Sequence, residues 1–312
     1  MTRHRWLLLL GALFATVALT AAACGDDDKA ATPTAAKTAA GGSSPSATVA
    51  PAPTFAADST MAAIVKKGKL TVGVKFDQPG FGLLDPASNK PDGFDVQLGK
   101  EIGKALGLKE NQVEFVEAVS KNRIPYLQED KVDLVIATMT INDDRKTQIE
   151  FSHTYYVAGQ SILVKKDNTT IKGIDDLNGK KVCSVQGSTS EKNIGAKAPK
   201  ADLLSLDAYA ACVNAMKDGR VEAVSTDDII LAGFAASDPS LKLVGGQFTK
   251  EAYGIGIKKG KTDMKQFVDS VFQKQFADGT WAAIYNKYLG KVEGLPKAAD
   301  ALVIVKADTT GG

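Results

Sequence analysis

Histidine is almost absent from this chain: of the two present, His4 lies among the first few residues and His153 stands alone in FSHTYY. With no second imidazole downstream, and with three cysteines (Cys24, Cys183 and Cys212) that no ligand cluster surrounds, the sequence offers no metal site. No G-x-G-x-x-G or G-x-x-x-x-G-K-[ST] follows a strand-like run, so a nucleotide-type cofactor has no support and none is expected. A G-x-S-x-G elbow and a spaced Ser/His/Asp set are missing too. His153 is then the sole candidate imidazole for catalysis, and a structural role is its ordinary reading. Charge of one sign is not in excess: 38 Lys+Arg face 36 Asp+Glu. The basic pairs Lys66-Lys67, Lys165-Lys166 and Lys258-Lys259 are scattered, with no aromatic residues interleaved as stacking platforms, which disfavours nucleic-acid binding.

What is present begins with Arg3 and Arg5 ahead of an uncharged run of 18 residues, Trp6 to Ala23. A run of that length sits at the lower limit for spanning a bilayer and also has the form of an export signal. The junction that follows favours the signal. Cys24 comes directly after Ala21-Ala22-Ala23 and before Gly25, which resembles the bacterial lipobox, where the leader is removed and the new N-terminal cysteine is lipidated. Ala21 stands where lipoboxes usually carry Leu, so plain secretion with cleavage after an Ala-x-Ala site stays open. The expectation is a signal peptide over residues 1–23 and a chain anchored through Cys24 to the outer face of the cytoplasmic membrane. Residues 24–60 open on Asp26-Asp27-Asp28 and continue as Ala, Thr, Pro, Ser and Gly. They contain too few large apolar side chains to build a core and read as a flexible linker, with a reach of about 30 Å. Setting Cys24 aside leaves Cys183 and Cys212, an even pair that in an exported protein suggests a disulfide. It would close a loop of about 30 residues and contribute on the order of 3 to 4 kcal/mol, the alternative being two buried thiols.

At 312 residues and 44% hydrophobic content the chain exceeds one compact core, so two lobes are expected. From Met61 onward short β-branched runs alternate with amphipathic stretches, as in an α/β protein with largely parallel sheets. KLTVGVK, QVEFVEA and VDLVIAT read as strands of one half, with helices at DGFDVQLGKEIGKALG and NRIPYLQED. KVCSVQG, ADLLSL and VEAVST read as strands of a second half, with helices at STSEKNIGAK, DAYAACVNAMKDG and from Asp227-Asp228. Near Tyr253 the pattern returns to a strand, YGIGIKK, followed by two closing helices between Asp263 and Leu289.

Polar residues gather where these strands end, the place at which open α/β sheets bind ligands. Thr138, Thr140 and Arg145 follow VDLVIA. Gly187-Ser188-Thr189-Ser190 follow KVCSV, and Asp227 follows VEAVS. An arginine fork, hydroxyls, helix-start amides and a carboxylate are what an α-carboxylate and an α-ammonium require when both are taken out of water. Taken singly, Arg145 also reads as a surface helix charge, and Ser188 to Ser190 and Asp227 as helix N-caps.

The segments VDLVIATMTINDDRKTQIEFSHTYYVAG, VCSVQGSTSE and DGRVEAVSTDDIILAG, in that order, resemble the bacterial family 3 extracellular solute-binding proteins, the amino-acid receptors of ABC transporters. The resemblance runs from about Ile64 to Leu289, and KFDQPGFGL with SKNRIPYLQ is most similar to the glutamate and aspartate binders. It implies a two-lobed periplasmic-binding-protein clamshell of type II with two crossover hinge strands. Lobe one would hold residues 61–158 and 253–296, lobe two 159–252, and a tail 297–312, with hinges near Gly159-Gln160 and Thr249-Lys250. It also implies that Arg145, Thr140 and the Thr189 amide, beside Ser188, hold the α-carboxylate, and that Thr138 and Asp227 hold the ammonium. Lys75 and Arg123 occupy positions where glutamate and aspartate binders carry basic side chains, and Tyr209 is a hydroxyl donor from lobe two. Lys75, Arg123 and Arg145 against Asp227 sum to a charge of +2, which suits a ligand of net charge −1. The expected partners are an amino acid, glutamate first with glutamine or aspartate as alternatives, and an ABC permease. The expected state is a monomer without enzymatic activity. A sensory module would share the same pocket, and some proteins of this fold dehydrate small carboxylates.

Overall fold

A computed structural model describes residues 53–310. The expected signal peptide, Cys24 and the linker as far as residue 52 lie outside the described residues.

Helix α1 (Thr60–Lys67) starts where Ser59 accepts from the Ala62 amide and stops at Gly68, whose φ of 69° lets its own N–H turn back onto the Ile64 and Val65 carbonyls. Then come β1 (Leu70–Val74), the meander β2 (Asp77–Gln78), β3 (Gly82–Asp85) and β4 (Lys90–Asp92), and helix α2 (Phe94–Ala105). They are followed by β5 (Val113–Glu117), α3 (Arg123–Gln128), β6 (Leu134–Val135), α4 (Asp143–Lys146) and β7 (Ile149–Phe151). β8 (Tyr156–Ala158) leads out of this lobe. The second lobe holds β9 (Gln160–Lys165), β10 (Lys181–Val185), α5 (Thr189–Lys197), β11 (Asp202–Leu206), α6 (Tyr209–Lys217), β12 (Ala223–Asp227), α7 (Asp228–Ser237) and β13 (Leu241–Val244). β14 (Glu251–Tyr253) returns the chain to β15 (Gly256–Lys258), α8 (Thr262–Asp278), α9 (Thr280–Tyr288) and α10 (Ala298–Thr310).

The two five-stranded sheets repeat one plan, β5-β1-β6-β15-β7 in lobe one and β11-β10-β12-β9-β13 in lobe two. Their first three strands are parallel, but β15 runs antiparallel to β6 and β7, and β9 antiparallel to β12 and β13. The sheets are therefore mixed rather than largely parallel. β9 and β15 are the first strands the chain forms after crossing from the other lobe, so they enter at the cleft end instead of arriving by a helical crossover. β8 and β14 pair antiparallel, Glu251 opposite Ala158, and form the double connection between lobes.

All five residues of β1 and all of β12 are buried, as expected of strands covered on both faces, although β12 ends on the polar Ser225, Thr226 and Asp227. A cluster of aromatic rings lies behind the connection. Phe81, Phe94, Tyr155, Tyr156, Tyr253, Trp281 and Tyr285 pack against one another, mostly edge to face, with centroids 5.2 to 6.3 Å apart. In lobe two, Cys183 of β10 and Cys212 of α6 are joined by a disulfide, Cα to Cα 5.4 Å.

Two stretches read as tether and tail are structured. Phe55 packs edge-on against Phe267 of α8, at 5.6 Å. Residues 298–310 form α10, which buries Ala298, Ala301 and Val305, while Asp308 receives the Thr154 hydroxyl and the Lys250 ammonium, each at 2.6 Å. α10 thus ties lobe one to the residue that opens the returning connection. Among the described residues, no helix is long and apolar enough to cross a membrane.

Candidate ligand-binding site

The carboxyl ends of β1, β6, β10 and β12 face one another across a closed seam. Arg145 bonds both sides of it, with Nη1 donating to the Thr140 carbonyl at 2.6 Å and Nη2 to the Gly187 carbonyl of lobe two at 3.3 Å. Asn142 holds it in place by accepting from the Arg145 amide as N-cap of α4. Thr140 Oγ1 lies 3.3 Å from Thr189 Oγ1 across the seam. Close approach needs small residues here: a Cβ on Gly187 would stand 2.9 Å from the Lys121 Cα, and one on Gly233 2.6 Å from the Pro79 carbonyl oxygen. Exposed pairs Lys121–Asp207 at 2.7 Å and Lys192–Asp144 at 3.2 Å close the rim.

Lys75, just past β1, is 1% exposed; its Nζ donates to Ser120 Oγ at 2.9 Å and stands 6.0 Å from the centre of the Tyr209 ring. Arg123, the first residue of α3, shares Ser120 through its carbonyl and donates to the Ala137 and Thr138 carbonyls. Burial first, and Arg123 second, lower the Lys75 ammonium to about 8. Arg123 and Arg145 are pulled down as well, chiefly by burial. Among the described residues, none of these three cations has a carboxylate within ion-pair distance, 4.0 Å.

Asp227 ends β12. Its Oδ2 accepts from the Tyr253 hydroxyl, while Oδ1 is buried without a partner. Burial, and then Glu251, raise its carboxyl to about 8. Thr138 is held in a left-handed conformation, φ 46°, by Asp95, which accepts from its amide at 2.9 Å. VDLVIAT pairs as a strand only at Leu134 and Val135. The Asp95 carboxyl, also bonded by the Tyr155 hydroxyl, is raised by burial to about 7. Ser188 and Tyr209 belong to lobe two. Ser188 Oγ accepts from the Glu191 amide as N-cap of α5, and the Tyr209 hydroxyl interacts with those of Ser188, Thr226 and Ser190, leaving its ring toward Lys75.

The nine residues singled out from sequence thus converge on one seam, and the structure adds others. Glu251 is 3% exposed and is bonded by the Thr140 hydroxyl at 2.7 Å and by Asn193 Nδ2 at 3.1 Å, so the four-residue charge count omitted a buried acid. Asp77 and Gln78, inside the quoted KFDQPGFGL, also reach the seam, although no local pattern separates them from an ordinary turn. His153 lies apart, beside Asp269 of α8 at 3.6 Å. Among the described residues no group of three His, Cys, Asp or Glu side chains could hold a metal ion.

Two lobes of this topology, a double connection and a closed polar seam are the type II periplasmic-binding-protein arrangement. Residues 70–291 match the model of bacterial extracellular solute-binding proteins, family 3, and the chain belongs to that family. It is 42% identical over 231 residues to the ABC transporter glutamine-binding protein GlnH of Bacillus subtilis (strain 168), covering 74% of this chain and 84% of that one. The glutamate-binding protein GluB of Corynebacterium efficiens is 34% identical over 245 residues, covering 75% of this chain and 83% of that one. Among solved structures, an ancestral arginine-binding protein bound to glutamine is similar with a TM-score of 0.68 and 39% identity, over 72% of this chain and 99% of that one.

Proposed function

We propose that this protein captures an acidic amino acid, glutamate, outside the cytoplasmic membrane and presents it to an ABC importer, held to the membrane by lipid on Cys24. One observation carries the ligand class: Lys75, Arg123 and Arg145 are buried in the closed seam without a carboxylate partner, and beside them Asp227 Oδ1 has no donor. Unpaired buried charge is costly, and a ligand with two carboxylates and one ammonium would relieve all of it at once. Glu251 offsets part of the Arg145 charge through space, but its two oxygens are bonded by the Thr140 hydroxyl and the Asn193 amide and it forms no ion pair with any of the three cations. On this reading the α-carboxylate lies against Arg145, Thr140 and Thr189, the ammonium against Asp227 and Thr138, and the distal carboxylate toward Lys75 and Arg123.

The reading is capture without turnover, with His153 turned toward Asp269 of α8 rather than to the seam. Glutamine is the second reading, favoured by the name of the Bacillus relative. Calorimetric titration with glutamate, aspartate and glutamine separates them: glutamate is expected to bind tightest, and glutamine binding as tightly as glutamate would refute the acidic assignment. Intact mass of membrane-extracted protein is expected to show a diacylglyceryl adduct on Cys24.

A further inference from the structure

We propose that Gln78 is a specificity-determining ligand contact, its side-chain amide donating to the distal carboxylate of the bound amino acid. The proposal rests on the acidic-ligand reading above and extends it. Gln78 is fully buried at the end of β2, and its Nε2 has no hydrogen-bond partner. Native proteins seldom leave a buried N–H without an acceptor, so one beside a cleft calls for an acceptor from outside the chain. The other end of the same amide is fixed, because Gln78 Oε1 accepts from the Thr138 hydroxyl at 3.1 Å. With the oxygen spent in this way, the group that remains for a ligand is a donor.

The neighbours indicate which ligand atom it meets. Thr138, which holds Gln78 through its hydroxyl, accepts Arg123 Nη1 on its carbonyl at 3.2 Å. Arg123 in turn shares Ser120 with Lys75. Gln78 is therefore one residue removed from Arg123 and, through Arg123 and Ser120, linked to Lys75, the two cations assigned to the distal carboxylate. The α-carboxylate donors gather elsewhere, at the Thr140–Gly187 contact that Arg145 spans. An N–H cannot serve the ammonium, so among the groups of a bound acidic amino acid the distal carboxylate is the acceptor Gln78 can reach. The partner orphan, Asp227 Oδ1, is an acceptor awaiting a donor, and the ammonium of the same ligand provides it.

The test is calorimetric titration of glutamate and glutamine against the parent, Gln78→Met and Gln78→Glu, with thermal melts to establish folding. Gln78→Met loses one hydrogen bond to a charged group and is expected to weaken glutamate about ten- to hundredfold and glutamine less. Gln78→Glu keeps an acceptor for the Thr138 hydroxyl but replaces the donor with a charge. It is expected to reverse the preference toward glutamine, whose amide can donate to it. Unchanged glutamate affinity in Gln78→Met, or an equal loss of both ligands in either variant, overturns the proposal; the equal loss would assign Gln78 to supporting Thr138. A parent that does not prefer glutamate overturns the acidic-ligand reading instead, and that outcome is read before any variant is made.

Discussion

Asp77 of lobe one caps a helix of lobe two: its Oδ2 accepts from the Tyr209 amide at 2.7 Å and from the Ala210 amide at 3.3 Å, at the first turn of α6. A carboxylate at a helix N-terminus satisfies free amides and lies favourably in the helix dipole. Here that interaction exists only while the lobes are shut. Asp77→Ala is expected to weaken every ligand alike, by about 0.5 to 2 kcal/mol, and to leave the glutamate-to-glutamine ratio unmoved. Titration with both ligands checks this, and scattering should show a more open empty protein.

Arg145 and Asp227 are assigned to groups common to all amino acids. Arg145→Ala and Asp227→Ala are each expected to cost about 2 to 5 kcal/mol for glutamate, aspartate and glutamine equally, since each leaves one ligand charge buried and unpaired. Binding within a few-fold of the parent would remove the assignment.

The pH dependence of binding follows from two opposed shifts. In the closed, empty seam Asp227 is raised to about 8 and Lys75 lowered to about 8, whereas the complex needs both charged. Below that value Asp227 must release a proton on binding; above it Lys75 must take one up. Glutamate affinity is therefore expected to peak near pH 8, with proton release on the acid side and uptake on the alkaline side, read from titrations in buffers of different ionisation heat. Lys75→Met should lose the alkaline limb and the preference for glutamate together. A profile flat from about pH 6 to 9 would contradict the assignment.

Reduction of Cys183–Cys212, 29 residues apart in sequence, is expected to lower stability by about 3 to 4 kcal/mol and the melting temperature with it. Thermal melts with and without reductant check this.

Asp308→Ala should release α10 from Thr154 and Lys250. The Lys250 side is largely exposed, so a loss of about 1 kcal/mol is expected, measured by thermal melt. Hydrogen exchange should rise in β8 and β14.

The repeated alternation of strands and helices was legible because β1, β5, β6, β10, β11 and β12 each carry Val or Leu in a short run between helix-like stretches. β9 and β13 were not: QSILVK follows Gly159 directly at the crossing, and LKLV, a four-residue run after α7, is only partly buried. The meander of β2 to β4 was also missed, its strands being two to four residues long and partly exposed. Among site residues, Asp227 announces itself by standing at a strand end, and Arg145 by following the VDLVIAT run. Asp95 does not: within GFDVQ it reads as an acid in the first turn of a helix, and only the folded chain brings it under Thr138, 43 positions on. Glu251 meets Thr140 from 111 positions away, a contact no local pattern encodes.

Phe55 on Phe267 fixes more than the start of the folded chain. The described chain begins on lobe one, so a support joined through the residues before it would hold lobe one still and leave lobe two as the moving jaw. Labels for following closure on a surface therefore belong on lobe two, where displacement relative to the support is greatest. A partner that distinguishes the loaded protein from the empty one would meet a stationary face and a travelling face rather than two equivalent ones.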